Sequence, residues 1–271
     1  MDGLLKGKIA IITGAGSGLG RAASLIFARH GAHVAAVDIG EASVAETVRL
    51  VEAEGNRASA HLCNVADEAA VEALVADVVK AQGRLDIIYN NAAITVAPDP
   101  AKGLLGLIDT PTSELDRIQA VNIGGVLNGC RAAIRQFTAQ GRDDNGSGGV
   151  IVNTASVAGL FGYGGVIYGA TKGAVVSLTR TLAIEIAPLG IRINSVCPGG
   201  MLTHYAGMDP DGPNADRIRE GMKKNNPLGD AGDPVNTANV ALFLASSLSA
   251  NVTGVNLPVD GGLSAGVSTK R

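Results

Sequence analysis

Short apolar runs rich in β-branched residues alternate along this chain with longer segments in which apolar residues recur at helical spacing. The clearest helical segment is Asp67–Gln82, where valines and a leucine recur three and four residues apart. Such alternation is typical of β-α-β units, in which parallel strands are joined by helices that cover the sheet. The pattern therefore predicts an α/β fold.

Seven runs have the length and composition of buried strands. They are Lys8–Thr13, His33–Asp38, Ala58–Cys63, Leu85–Asn90, Gly149–Thr154, Ile191–Cys197 and Val255–Asp260. A closed eight-stranded barrel and an open doubly wound sheet both fit this alternation, but a glycine-rich turn after the first strand favours the open sheet. We therefore predict a single-domain Rossmann fold over residues 1–271, a doubly wound seven-stranded parallel sheet with helices on both faces.

Two stretches rich in Gly, Pro and Asp lack either period, and each follows the carboxyl end of a predicted strand. They are Thr95–Pro111 and Gly199–Pro227. Ligands bind at these strand ends in open sheets. We expect residues 199–227 to be an irregular, mobile substrate loop that orders over substrate and cofactor.

Composition narrows the classes of function. The 22 basic residues are scattered and the net charge is −3, so no phosphate-binding footprint for nucleic acid is expected. No window approaches the roughly 18 apolar residues that a membrane span needs, and the first residues lack the pattern of a secretory signal. We expect a cytoplasmic protein that binds neither nucleic acid nor membrane.

The cysteines and histidines give no sign of a metal site. Cys63, Cys130 and Cys197 are widely spaced and form no CxxC pair, so we expect reduced core residues rather than a disulfide framework. The four histidines show no metal-ligand spacing. No metal is therefore predicted.

The turn TGAGSGLG, residues 13–20, lies between the first strand and a helix that begins near Leu19. Residues without a Cβ let the backbone approach a pyrophosphate, and a helix N-terminus supplies unpaired N–H groups and a positive dipole end. The alternative is a turn that is merely tight. Strand, turn and helix occur in the order that nucleotide binding requires, so we favour nucleotide binding.

Asp38 closes the second predicted strand, 24 residues after Gly14. An acidic residue at about this separation hydrogen-bonds the adenosine ribose in dinucleotide-binding folds. Its carboxylate accepts from a free 2′-hydroxyl and repels a 2′-phosphate, which favours NAD over NADP. An ordinary surface aspartate at a strand end is the alternative.

Tyr168 and Lys172 are four residues apart at the start of a helix predicted to run to about Ala187, so their side chains share one face. A phenol is a poor base at neutral pH, but a neighbouring ammonium lowers its pKa. Ser156 follows the fifth strand and lies at the same edge of the sheet. Taken alone, a tyrosine and a lysine one turn apart are usually surface neighbours.

Taken in order, these motifs resemble the short-chain dehydrogenase/reductase family from about Lys6 to Gly262. The matching segments are TGAGSGLG (13–20), NNAA (90–93), Asn122 in AVNIGG, Ser156, YGATK (168–172), PGGMLT (198–203) and VDGG (259–262). The resemblance implies hydride transfer between the nicotinamide of NAD and a secondary alcohol or its ketone. Apolar candidate pocket residues favour a hydrophobic or cyclic substrate.

The resemblance also implies residue roles. Tyr168 would be the acid/base, Lys172 would lower its pKa and hold the nicotinamide ribose, and Ser156 would hydrogen-bond the substrate oxygen. Asn122 would hold a water that links Lys172 to solvent, unless it merely caps or kinks a helix. Cofactor contacts are implied for Gly14, Ser17, Gly18, Leu19, Gly20, Asp38, Ile39, Asn64, Val65, Asn91, Ala92, Tyr168, Lys172, Pro198, Gly199, Met201 and Thr203. Substrate contacts are implied for Ser156, Tyr163, Tyr168 and Tyr205.

This sequence departs from the family pattern in three places. Ala93 and Asn64 stand where Gly and Asp are usual, and the chain before Asn122 indicates an insertion at about 95–111. The leucines and isoleucine of that insertion would form a substrate wall or an interface. The long helices around Thr112–Gln140 and Tyr168–Ala187 predict a homodimer or homotetramer.

Two alternative functions remain at this point. An NADPH-dependent ketone or 3-oxoacyl reductase of the same family would need a basic residue near the ribose, where Ser17 and Ile39 stand. A cofactor-sensing or scaffold protein without catalysis would have no need for all four catalytic positions.

Overall fold

The computed structural model describes residues 3–96, 105–205 and 208–266. It contains one parallel sheet of seven strands. The strands are β1 Ile9–Thr13, β2 His33–Asp38, β3 Arg57–Leu62, β4 Ile87–Asn90, β5 Gly149–Thr154, β6 Ile191–Pro198 and β7 Asn256–Val259. Their spatial order is β3-β2-β1-β4-β5-β6-β7. The predicted open, seven-stranded sheet is confirmed.

Eight α-helices accompany the sheet within the described ranges. They are α1 Gly18–Arg29, α2 Glu41–Ala53, α3 Glu68–Gln82, α4 Thr112–Gln119, α5 Gly125–Gln140, α6 Val166–Ile186, α7 Ala215–Asn225 and α8 Pro234–Ala245. Apolar side chains of α3, α5 and α6 form a core on one face of the sheet, and those of α1, α2 and α8 form a second core on the other. Both faces are therefore covered, as the doubly wound fold requires.

The strand order reverses between β1 and β4. From β1 the chain builds outward to β3, returns to β4 beside β1, and then builds in the opposite direction to β7. The crevice at such a reversal, beyond the carboxyl ends of the strands, is where open sheets bind ligands. The fold therefore brings the segments after β1, β4, β5 and β6 to one edge.

The burial of the strands explains the sequence pattern. All residues of β1 and β5 are buried, which matches continuous apolar runs in strands covered on both faces. The edge strand β3 has no fully buried residue. Before α3, the Asp67 carboxylate accepts a hydrogen bond from the Ala70 N–H at 3.1 Å, so the helix starts at the predicted position.

The segment 199–227 was wrongly predicted to be irregular throughout. It contains α7, whose apolar positions Ala215, Ile218 and Met222 lie at helical spacing. The flanking Gly, Pro and Asp residues obscured this short amphipathic period. Residues 97–104 of the predicted insertion at 95–111, including Leu104, lie outside the described residues.

The predicted long helix around Thr112–Gln140 is not regular. A π-helical turn over Ala120–Gly124 joins α4 to α5 and contains Asn122. Such turns are rare and occur frequently at functional sites. In the described part of the chain, no helix is long and apolar enough to cross a membrane.

A glycine on α5 sets the distance between this helix and the sheet. A Cβ at Gly129 would lie only 2.0 Å from Asn90 Oδ1. The Asn90 amide donates to Asn153 Oδ1 at 3.0 Å, and the Asn153 amide donates to Thr179 Oγ1 at 3.2 Å. This buried chain of hydrogen bonds links β4, β5 and α6. The Asn90 side chain has room to take part because position 129 of α5 carries no Cβ.

We expect Gly129→Ala to lower the unfolding free energy by about 1–3 kcal/mol, because overpacking displaces the Asn90 side chain. Gly124→Ala is the matched control, since its Cβ would meet only the Gln119 carbonyl oxygen at 3.8 Å. The control should be neutral or stabilising by up to about 1 kcal/mol through helix propensity. Denaturant unfolding measures both, and equal effects would contradict the role assigned to Gly129.

Candidate active site

The glycine turn after β1 leaves no room for side chains. A Cβ at Gly14 would lie 2.9 Å from Ala92 Cα, and one at Gly20 would lie 2.0 Å from the Gly14 carbonyl oxygen. Gly18 begins α1 with a φ of +47°, which favours glycine. No side chain caps α1 and its first turn carries no acidic residue, so the turn offers free N–H groups to an anion.

Asp38 is held at the rim of this turn by two backbone donors. Its Oδ2 accepts from the Gly16 N–H at 2.9 Å and its Oδ1 accepts from the Gly40 N–H at 3.0 Å. A carboxylate oxygen has a second acceptor position, so Asp38 can still accept from a ligand. The next residue, Ile39, is 76% exposed.

Arg21 is the cation closest in sequence to this turn, and its Nε and Nη2 groups donate to protein acceptors. Its guanidinium donates to Thr47 Oγ1 at 3.0 Å, to the Ser43 carbonyl at 3.2 Å and to the Gly16 carbonyl. Arg21 therefore supports the turn from within the fold.

A hydrogen-bond network joins the ends of β1, β4 and β5. Thr13 Oγ1 accepts from the N–H groups of Asn91 and Ala92 at 2.9 and 3.0 Å. The Asn91 amide donates to the Thr13 carbonyl at 3.0 Å, and the Thr154 hydroxyl donates to Asn91 Oδ1 at 3.1 Å. The Asn91 side chain is thus structural, and the network fixes the backbone that borders the cleft.

These segments enclose a cleft of about 690 Å³ at the carboxyl edge of the sheet. Most of the predicted site residues line it, namely Gly14, Ser17, Gly18, Leu19, Gly20, Asp38, Asn91, Ala92, Ser156, Tyr163, Tyr168, Lys172, Pro198, Gly199, Met201, Thr203 and Tyr205. Ile39, Asn64, Val65 and Asn122 are not among the lining residues. The cleft therefore brings together both predicted groups, the cofactor-binding and the catalytic residues.

Sequence reasoning missed several lining residues. They include Ile94, Thr95, Arg117, Thr154, Ala155, Gly164, Gly200, His204 and Met222. Thr154 could have been found from its place at the end of β5, two residues before Ser156. Arg117 carried no signal, because only the packing of α4 beside the cleft brings it there; it pairs with Glu114 and donates to the Thr95 carbonyl at 3.3 Å.

Lys172 reaches from α6 to the end of β5 and is only 1% exposed. Its Nζ donates to the Thr154 carbonyl oxygen at 2.8 Å and lies 5.6 Å from the centre of the Tyr168 ring. Burial lowers the pKa of Lys172 to about 8, because a buried ammonium loses its hydration.

Tyr168 shows the opposite shift. Burial raises the pKa of its phenol, and the hydroxyls of Ser156 and Tyr205 offset part of that rise. The sequence-based expectation was that Lys172 lowers this pKa. In the chain alone it does not, because Lys172 loses its proton at about pH 8, before the phenol ionises.

Asn122 lies beside the cleft and binds two other segments. Its Oδ1 accepts from the Ile94 N–H at 2.8 Å, and its amide donates to the Ile94 carbonyl at 2.8 Å and to Thr171 Oγ1 at 3.1 Å. The π-helical turn is thereby tied to the segment after β4 and to α6. Both N–H donors of the Asn122 side chain, and one acceptor position of its Oδ1, are used by protein partners.

Comparison with known proteins identifies the family. A family model described as enoyl-(acyl carrier protein) reductase matches residues 14–264. The chain is 36% identical to the 3-oxoacyl-[acyl-carrier-protein] reductase FabG of Thermotoga maritima, over 96% of this chain and 98% of the relative. This chain belongs to the short-chain dehydrogenase/reductase family. The resemblance inferred from the motifs is confirmed.

Other members of the short-chain dehydrogenase/reductase family agree. The meso-2,3-butanediol dehydrogenase of Serratia marcescens is 36% identical over 95% of this chain and 95% of its own length. The crystal structure of a 3-ketoacyl-(acyl-carrier-protein) reductase from Brucella melitensis complexed with NADH aligns with a TM-score of 0.85. That alignment has 34% identity over 96% of this chain and 99% of the other.

The buried ammonium of Lys172 makes a prediction about stability. Between pH 8 and 10.5 the unfolded chain binds more protons at this lysine than the folded chain, so stability rises with pH through that window. Below pH 8 the lysine is charged in both states, so the full cost of burying its charge lowers the unfolding free energy. We expect Lys172→Met to raise the unfolding free energy at pH 7 by about 1–2 kcal/mol, the lost hydrogen bond offsetting part of the gain.

Denaturant unfolding at several pH values tests this. The advantage of Lys172→Met should shrink between pH 8 and 10.5, while Lys80→Met, at an exposed position of α3, should match the parent throughout. A Lys172→Met protein that is less stable than the parent at pH 7 would contradict the assignment of a buried charge.

Proposed function

We propose that this chain is an NAD-dependent oxidoreductase that interconverts a secondary alcohol, hydrophobic or cyclic, and its ketone. The observation that carries the proposal is the convergence of Ser156, Tyr168 and Lys172 in the same cleft as the glycine turn and Asp38. A nucleotide-binding edge alone would need none of these three side chains. We also propose that residues 1–271 act as one catalytic domain.

The cradle after β1 fits a dinucleotide. Its glycines leave space where a Cβ would collide with backbone, and the uncapped start of α1 lies beside that space. Asp38 is assigned to the adenosine ribose, with Ile39, Asn64 and Val65 as neighbours on that side. When bound, NAD accepts or donates a hydride at the nicotinamide.

The protein's own chemistry is the movement of a proton. Tyr168 takes the alcohol proton during oxidation and returns it to the ketone oxygen during reduction, while the Ser156 hydroxyl orients that oxygen. Because burial raises the pKa of Tyr168, the phenolate needs a nearby positive charge. At the 5.6 Å that separates Nζ from the ring centre, two unit charges interact by about 3 kcal/mol at an effective dielectric near 20.

Lys172 supplies that charge only while it is protonated. We assign its ammonium to donate to the nicotinamide ribose, since donation to an acceptor favours the charged form and raises the pKa again. The ammonium then stays protonated to higher pH and is present when the phenolate forms. Cofactor binding and proton transfer are thereby coupled through one lysine.

We assign the proposed water contact of Asn122 to its main chain rather than to its side chain. Its amide donors are occupied by Ile94 and Thr171, so we assign the water near Lys172 to its main-chain carbonyl. Asn122 lies in the π-helical turn, where the regular i to i−4 hydrogen bonding is interrupted, and this supports the assignment.

A second candidate is an NADPH-dependent 3-oxoacyl reductase, which similarity to the Thermotoga FabG favours. The residues at positions 17 and 39 are Ser and Ile rather than cations, and Nε and Nη2 of Arg21 donate to α2 and to the turn. These features support NAD. A non-catalytic scaffold is disfavoured by the convergence of the catalytic side chains.

We further propose a small-molecule alcohol or ketone as the partner and a cytoplasmic homo-oligomer, dimer or tetramer, as the working form. Exposed Val166 and Ile184 on α6 support an interface there, because large apolar side chains on a surface are often covered in assemblies. We propose that residues 199–227 close over the ligands. Met222 of α7 lines the cleft, which supports this role.

The cofactor preference follows from Asp38. Repulsion of a 2′-phosphate and loss of the ribose hydrogen bonds should favour NAD over NADP by roughly 1–3 kcal/mol, or about 5- to 150-fold in kcat/KM. Asp38→Ala combined with Ile39→Arg should narrow or reverse the preference, because arginine matches a phosphate. Steady-state kinetics with both cofactors measure it, and a parent that uses NADP equally well or better would refute the choice.

The proton-transfer role is tested with Tyr168→Phe. The ring remains and only the hydroxyl is lost, so turnover should fall at least ~10²–10⁴-fold, the contribution of general acid–base groups. NADH binding, followed by fluorescence titration, should stay near the parental value. A variant with near-parental turnover would overturn the assignment.

A further inference from the structure

Tyr205 has a buried hydroxyl without an evident purpose in the fold. Its oxygen is inaccessible to solvent and makes no hydrogen bond of ordinary geometry within the described residues. Its ring lies 6.1 Å from the Tyr168 ring, tilted by 54°, and the side chain lines the cleft. An unpaired buried hydroxyl is unfavourable, so its persistence at a ligand cleft points to a partner in the ligand.

The position of Tyr205 is built rather than accidental. Its backbone N–H donates to Thr203 Oγ1 at 3.2 Å, which anchors the residue beyond β6. Burial raises its pKa, as do the charge and hydroxyl of the neighbouring Tyr168, whereas the hydroxyl of Thr95 lowers it. Both hydroxyls are near the Tyr205 oxygen, but neither has the geometry of a hydrogen bond to it. Tyr205 therefore stays neutral and keeps an O–H group to donate.

We propose that Tyr205 donates a hydrogen bond to a second oxygen of the substrate, on the carbon next to the reacting one. The inference rests on the proposed function, in which Tyr168 and Ser156 bind the reacting oxygen. The rings of Tyr205 and Tyr168 lie 6.1 Å apart and both side chains line the cleft, so we place the two oxygens that they bind on neighbouring carbons. The substrate class is then the vicinal diols and, in the other direction, the α-hydroxy ketones.

The reaction remains a two-electron oxidation at one carbon. The C–H bond of the reacting carbinol breaks and its hydride passes to NAD⁺, while the hydroxyl proton passes to Tyr168. The diol becomes an α-hydroxy ketone and NAD⁺ becomes NADH. The second oxygen keeps its hydrogen and takes no part, so Tyr205 acts only on recognition.

The test compares matched alcohols that differ in the second oxygen. The pairs are 1,2-cyclohexanediol with cyclohexanol and 2,3-butanediol with 2-butanol, each diol as separate stereoisomers, with kcat/KM measured for NAD⁺-dependent oxidation. In the parent, one diol stereoisomer should exceed its mono-alcohol by about 10-fold or more, because a lost hydrogen bond leaves the Tyr205 hydroxyl unpaired. Tyr205→Phe should lower that ratio about 10-fold.

Two controls separate recognition from disruption. Thr181→Val removes a hydroxyl from an exposed position of α6 that does not line the cleft, so the diol-to-alcohol ratio should be kept. The thermal unfolding midpoint of ligand-free Tyr205→Phe should equal or exceed the parental value, because the lost hydroxyl has no ordinary hydrogen bond to break.

Several results would overturn the inference. They are a parent without preference for any vicinal diol, an equal fall for diol and mono-alcohol in Tyr205→Phe, a Tyr205-dependent preference for 1,4-cyclohexanediol, or a lowered unfolding midpoint. In each case, continued oxidation of the mono-alcohols leaves the proposed function standing. Failure of NAD⁺ to support oxidation of any alcohol in the panel contradicts the proposed function itself.

Discussion

The contact between the Lys172 ammonium and the Thr154 carbonyl is the interaction on which the site depends. It ties α6 to the end of β5 and fixes the distance between the lysine and the Tyr168 ring. A buried ammonium is disfavoured unless it is hydrogen-bonded, and one carbonyl satisfies only one of its three donors. The chain thus holds a charge that its own folding does not reward, as functional sites commonly do.

Hydrogen bonds between uncharged polar side chains hold the strands and α6 in place around this lysine. The Asn90–Asn153–Thr179 chain joins β4, β5 and α6, and the Thr13–Asn91–Thr154 network joins β1, β4 and β5. Buried polar networks of this kind are favourable when every member is satisfied, and they specify one arrangement. These hydrogen bonds fix the carboxyl ends of β1, β4 and β5 where they border the cleft.

The order of strands and helices could be predicted because the buried strands are continuous apolar runs and the longer helices repeat apolar residues at helical spacing. The position of the cleft followed from the glycine turn and from residues such as Ser156 that come directly after strands. Asp38 and Tyr168, which the spacing and the family resemblance assign to the site, both line the cleft. The sequence analysis did not predict α7, because its three apolar residues stand among glycines, prolines and charged residues. The helical spacing of these residues is present in the sequence but weak.

Other features arise only from the folded chain. The π-helical turn at Asn122 depends on hydrogen bonds to Ile94 and Thr171, which are distant in sequence. The order of the Lys172 and Tyr168 pKa values depends on how deeply each is buried. The unpaired hydroxyl of Tyr205 has no sequence signal at all.

The most direct test of the account is a mass measurement of the cofactor after oxidation of secondary alcohols deuterated at the carbinol carbon. Hydride transfer in this cleft predicts NADH that is one mass unit heavier. Unlabelled NADH, or no reduction of NAD⁺, would contradict it.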